Sequence, residues 1–245
     1  MKAIKNILIP LAFWLLVWQV VAWIVGKNLL LPGPWTVALR LAGSVITVDF
    51  WHATALTLLR VFVGMFAGAV IGTVVAVLTC VSRWCDRLLS PLVKVIRATP
   101  VASFILLVLL WVSTGKVPGV ISALMVLPVV WGNVSKGIRE TDSKLLELAK
   151  AYRFGRGKTW KLVYIPSVAP YFAAGVETAL GLAWKAGVAA EVLCYPKWAI
   201  GSEIYHARLN FETPDLFAWT LVVIALSFLV ETVLVKCLRK AVRHG

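Results

Sequence analysis

The sequence predicts an all-α, polytopic membrane protein. Three observations carry that expectation. Hydrophobic residues make up 60% of the 245-residue chain and charged residues only 15%, with a mean hydropathy of +0.88; a soluble domain carries about 25% charged residues. Several nearly uncharged stretches approach the roughly 20 residues that cross a bilayer as a helix. The basic residues, which give a net charge of +14, gather in alternate connections instead of spreading evenly. That pattern matches the positive-inside bias of membrane proteins and argues against a nucleic-acid partner.

Six spans are expected, at about 7–25, 56–82, 98–113, 117–135, 166–193 and 216–235. The first follows Lys2 and Lys5 and resembles a signal peptide in charge. It is too long for a signal core and no small-residue cleavage site follows, so a retained span is expected. The first 55 residues are this span and an outer loop. There Leu31-Pro-Gly-Pro34 precedes a stretch, 35–48, suited to a short amphipathic outer helix. The core is expected over 56–245, with its largest cytoplasmic connection at 136–165. Lys136, Arg139, Lys144, Lys150, Arg153, Arg156, Lys158 and Lys161 all fall in that connection. Both termini are therefore expected in the cytoplasm.

Within the connection, Asp142 can cap a helix through its carboxylate. Leu145, Leu148, Ala149 and Tyr152 then recur at helical spacing and form an apolar stripe, with Lys144, Glu147 and Lys150 opposite. A break at Arg153-Phe-Gly-Arg-Gly157 follows, where glycine permits a turn. A second helical stretch leads from Lys158 to Pro166, and Pro166 and Pro170 suit the first turns of the next helix. Such an insert can present a short helix to a groove on a soluble partner. It can equally lie in the lipid interface.

Membrane-depth charges are costly and call for a partner or a cavity. Glu177, Lys185 and Glu191 interrupt the fifth span and Glu231 the sixth. At 100° per residue, none of these spacings puts two of the fifth-span charges squarely on one face. Partners from another helix or subunit are expected. Lys185, beside Trp184 and followed by small residues, either lines a pathway that attracts an anionic group or fixes the span in a structural pair. Glu191 is expected near an outer gate or a dimer contact. Cys80, Cys85, Cys194 and Cys237 have no metal spacing and are expected as free thiols; His52, His206 and His244 form no metal set.

Glu147 and Ala149, with Ile165-Pro166 at the far end, resemble the EAA loop of ABC importer permeases. Leu148 stands where that loop has its first Ala, and Arg153 where it has its Gly; Gly155 is expected to supply the turn instead. Leu31-Pro-Gly-Pro34, the Thr57-Leu-Leu-Arg-Val-Phe-Val-Gly64 run, Arg97-Ala-Thr-Pro100 and Gly181-Leu-Ala-Trp-Lys-Ala-Gly-Val-Ala-Ala-Glu191 extend the resemblance to the nitrate, sulfonate and taurine branch. The resemblance implies a type I importer permease, multi-pass in a bacterial cell membrane and working as two copies, expected to be a homodimer. A cytoplasmic ATPase dimer would receive Asp142, Leu145, Glu147, Leu148, Ala149, Tyr152 and Gly155 of the coupling loop, and an extracytoplasmic binding protein would deliver substrate. ATP and Mg would sit in the ATPase, because this chain lacks the full phosphate-loop pattern. Trp184, Lys185 and Glu191 are the expected pathway residues. The substrate would be a sulfonate- or nitrate-like anion, or a pyrimidine or vitamin precursor. An ion-coupled secondary transporter using Glu177, Lys185 and Glu191 is the alternative.

Overall fold

A computed structural model describes residues 2–244, with side chains described over 8–236. Cys237 and the basic side chains of Lys2, Lys5, Arg239, Lys240 and Arg243 lie outside the described residues.

Among the described residues, eleven α-helices and one π segment follow one another, with no strand. They are α1 (Lys2–Val25), α2 (Pro34–Val45), α3 (Val48–Val81), α4 (Arg83–Ala98), α5 (Val101–Leu109), α6 (Val117–Arg139), α7 (Ser143–Ala151), α8 (Arg156–Thr159), the π segment Trp160–Tyr164, α9 (Ile165–Cys194), α10 (Ile200–Leu209) and α11 (Thr213–His244). Among the described residues, four helices are long and apolar enough to cross a membrane: Leu8–Val25 in α1, then α3, α6 and Thr213–Lys236 in α11. The fifth expected span falls on the 30-residue α9, which is not among these four; Glu177, Lys185 and Glu191 lower its apolarity.

The third expected span differs. A helix over 98–113 does not form; α5 has nine residues, too few to cross alone. It meets α4 at 107°, and the two together make a bent fifth candidate span. The cause is Pro100, which forces the residue before it out of helical geometry. Thr99 has ψ 132° and Pro100 ψ 136°, so the chain turns there. The second span begins earlier than expected, because Thr47 caps α3 by accepting from the Phe50 amide at 3.3 Å.

The core is a packing of α3, α6 and α9. Glycines set its register. A Cβ on Gly68 would lie 2.5 Å from the Ala123 carbonyl oxygen, and one on Gly72 2.7 Å from that of Leu127. Gly64 meets Gly119 in the same way. Each step of four residues on α3 matches four on α6, so the two run parallel, backbone against backbone, as small residues at four-residue spacing allow. Helix α9 runs antiparallel to α6: a Cβ on Gly175 would meet Asn133 and one on Gly137 would meet Tyr171. The α7 end of the bundle therefore holds the end of α6 and the start of α9. The opposite end holds the end of α9 with α10.

Candidate functional site

Three regions concentrate the chemistry: the α7 turn, the charged flank of α9, and the far end of α9.

At the first, Asp142 caps α7 as its sequence position suggests, its carboxylate accepting from the Lys144 amide at 2.8 Å. The apolar stripe divides. Ala149 is buried, while Leu145, Leu148 and Tyr152 are 43%, 54% and 70% exposed. Glu147 is also exposed. The helix stops in a paired bond pattern, Phe154 N–H to Ala149 C=O at 2.8 Å and Arg153 N–H to Lys150 C=O at 2.9 Å. This is the Schellman arrangement, which places a left-handed residue just after the helix. That residue is Arg153, at φ +51°. Gly155 does not supply the turn: it sits at φ −65° and begins α8. The backbone need for a glycine remains at Arg153, and an arginine meets it with strain. Lys158 Nζ lies 4.3 Å from the Phe154 ring and draws α8 over the turn. Beneath, the Tyr171 hydroxyl donates to Glu140 at 2.7 Å, tying the end of α6 to α9.

Along α9, Trp184 points into the core, 2% exposed, and its indole N–H donates to the Val223 carbonyl of α11 at 3.3 Å. Lys185 is exposed. It lines a cavity of about 630 Å³ together with Glu177, Thr178, Ser227 and Glu231. Sequence spacing placed no partner for these charges; the structure brings α9 and α11 together so that they share one cavity. Glu177 and Lys185 are about 12 Å apart along the helix axis.

At the far end, Glu191 is fully buried. Thr57 Oγ1 donates to its Oε2 at 2.9 Å, Arg60 Nη1 to its Oε1 at 3.3 Å, and the Gly201 amide to Oε2 at 3.2 Å. Arg60 also donates to the carbonyls of Lys197 and Trp198, both at 2.9 Å. Tyr195 and Trp198, on either side of that clamp, hold φ of +34° and +55°, left-handed values that disfavour side chains. Gly201 is required here, since a Cβ would strike Glu191. The network joins α3, α9 and α10. The sequence points to Glu191, and it marks Thr57 and Arg60 only as members of the Thr57–Gly64 run, with no role for either and none for Gly201. The available signal was chemical: a carboxylate inside a span needs a cation, and Arg60 is the basic residue on the paired end of α3.

Between α2, α10 and the first turn of α11 lies a polar pocket of about 590 Å³, lined by Arg40, Asp49, Glu203, His206 and Asp215 among others. Partial burial raises the Glu203 carboxyl above the usual range and nearby Asp49 adds to the shift, while His206 opposes it.

Comparison with known proteins agrees with this architecture. The chain is 27% identical over 216 residues to a putative aliphatic sulfonates transport permease protein of Bacillus subtilis, covering 87% of this chain and 78% of that one. It is 25% identical over 206 residues to a nitrate import permease protein of Synechococcus elongatus, covering 79% and 73%. An amino acid ABC transporter of known structure shares the fold at TM-score 0.62 and 17% identity, covering 77% of this chain and 90% of that one. The model of the binding-protein-dependent transport system inner membrane component family matches residues 64–244. The chain belongs to that family and is a multi-pass membrane permease.

Proposed function

We propose that this chain is the pathway-forming subunit of an ATP-driven importer and that α7 is its coupling helix. The observation that carries this reading is the exposure of Leu145, Leu148 and Tyr152 on a doubly capped helix whose Ala149 is packed inward. An apolar flank held out on a short, anchored helix suits the groove of a soluble partner. That partner is a cytoplasmic ATPase dimer, which holds ATP and Mg; this chain binds neither. Asp142 fixes the start of α7, Glu147 contributes at its exposed face, and the Arg153–Gly155 turn sets its exit.

Two copies of the chain form the pathway, and a binding protein delivers substrate at the Glu191 end. Lys185 lines the pathway, with Trp184 anchoring α9 to α11 beside it. Glu191 keeps the far end of α9 in register with α10. The charge bias of the connections supports a cytoplasmic side for α7 and both termini. The relatives named for sulfonates and nitrate support a small solute bearing an oxyanion as substrate, in preference to a pyrimidine or vitamin precursor. Ion-coupled transport by Glu177, Lys185 and Glu191 finds no support in the family match, and Glu191 is committed to an internal network.

The test is purification of the tagged chain from its native membrane with identification of the chains that accompany it. An ATPase carrying a phosphate loop, in about equal amount, is the expected result. A stable permease purified alone would refute the proposal.

A further inference from the structure

The close approach of α3 and α6 leaves a groove of about 610 Å³ on their outer side. Its lining includes the small residues Gly64 and Ala67 of α3 with Gly119 and Ala123 of α6, and it lies along the line where Gly64 meets Gly119 and Gly68 meets Ala123. Its walls include the exposed Val63 and Ile71. No carboxylate lines it. From Arg60 to Ile71 it follows α3 for about 16 Å at helical rise, roughly half the ~30 Å hydrocarbon core and hence one leaflet.

Charge is confined to one mouth. The parallel register sets Arg60 beside Gly115 and Lys116, and all three line the groove. Lys116 is exposed and makes no ion pair among the described residues. It also sits at the N-terminus of the 23-residue α6, which starts without a side-chain cap, so the helix dipole adds positive potential at the same place. Arg60 is largely spent on Glu191 and two carbonyls, which leaves Lys116 as the principal cation.

We propose that this groove binds one anionic phospholipid, its acyl chain along Ala67 and Ala123 and its headgroup on Lys116 at the α6 N-terminus. A slot one leaflet long, apolar throughout and cationic at a single end, matches a lipid that is apolar throughout and anionic at one end. The occupant also covers the half-buried Gly119 and Ala123, whose small size leaves the groove open. Because the site includes Arg60, a bound headgroup lies next to the Glu191 network.

The full chain, purified and exchanged into equal amounts of phosphatidylglycerol and phosphatidylcholine, is examined by native mass spectrometry. Retention of one phosphatidylglycerol per chain, several-fold over phosphatidylcholine, is expected. Lys116→Glu should abolish that preference with a melting temperature no lower than that of the unaltered chain, because a carboxylate suits the α6 N-terminus, and Ala67→Phe should reduce retention of both lipids. Equal retention of the two lipids by the unaltered chain overturns the proposal, as does retention unaffected by either substitution. Efficient disulfide formation between two copies carrying Val63→Cys would also overturn it, by showing a second copy of the chain in the groove.

Discussion

The Thr57 hydroxyl donates to the buried Glu191 carboxylate at 2.9 Å while accepting from the Ile200 amide at 3.0 Å. One hydroxyl thus joins the end of α9 to the start of α10, and Arg60 fixes the loop between them. Removing the carboxylate strands Arg60, Thr57 and the Gly201 amide together. Glu191→Ala should cost about 3–5 kcal/mol, as breaking a buried pair does. Thr57→Val should cost about 1–3 kcal/mol, because it leaves the Ile200 amide unsatisfied. Thermal unfolding in detergent reads both, and a Glu191→Ala protein as stable as the unaltered chain would contradict the network's role.

Arg153 occupies a left-handed position at the end of α7. Arg153→Gly should relieve about 1 kcal/mol of backbone strain. Hydrogen exchange at the Arg153 and Phe154 amides should slow accordingly, since both close the helix end. Arg153→Val should speed it. Gly155→Ala should have little effect, because Gly155 is at an ordinary φ and a Cβ there meets nothing within 4 Å.

The α3–α6 contact depends on the absence of side chains. Gly68→Val would push into the Ala123 backbone and Val126, and overpacking of this kind costs about 1–3 kcal/mol. Gly43→Ala, whose Cβ meets nothing within 4 Å, is the control. Melting temperatures of the two variants should separate clearly, with Gly68→Val the lower.

Glu203 yields a pH prediction. Its carboxyl is raised in the folded protein, so the folded state holds the proton more tightly than the unfolded one. Ionisation penalises folding, and stability falls as pH rises from the ordinary carboxylate range through the raised value. Glu203→Gln should therefore be more stable than the unaltered chain at neutral pH, and the difference should vanish in acid. A melting difference independent of pH would contradict the assignment.

Lys185→Ala should reduce substrate uptake while leaving assembly and melting temperature intact, since Lys185 is exposed to the α9–α11 cavity. Trp184→Ala should instead destabilise, by about 3–5 kcal/mol for a buried tryptophan. Uptake and unfolding measured on both variants would separate a pathway residue from a packing residue.

Much of this molecule is legible in its sequence because it is local. The Asp142 cap, the apolar stripe through Leu145 and Leu148, and the proline start of α9 each depend on neighbours within a turn or two. The bend at Pro100 was also local, but the long apolar run around it masks the pre-proline restriction at Thr99. The Schellman turn was misplaced because glycine is its usual occupant, and Gly155 stood two residues from the residue that takes the strain. The Arg60–Glu191 pair spans 131 positions, so no periodicity reveals it. Gly64, Gly68 and Gly72 did carry a readable four-residue spacing for close helix approach, but not the identity of the helix they meet.

The proposed coupling contact is the Leu148 flank of α7 docked on an ATPase. Photocrosslinking tests it most directly, with a photoreactive residue at Leu148 or at Lys150, 200° around the helix. Both positions are exposed, so accessibility does not distinguish them. The account predicts a strong crosslink from position 148 in native membranes to a chain bearing a phosphate loop, and a much weaker one from position 150. Crosslinking from 148 to lipid alone, or equally to the ATPase from both positions, would contradict it.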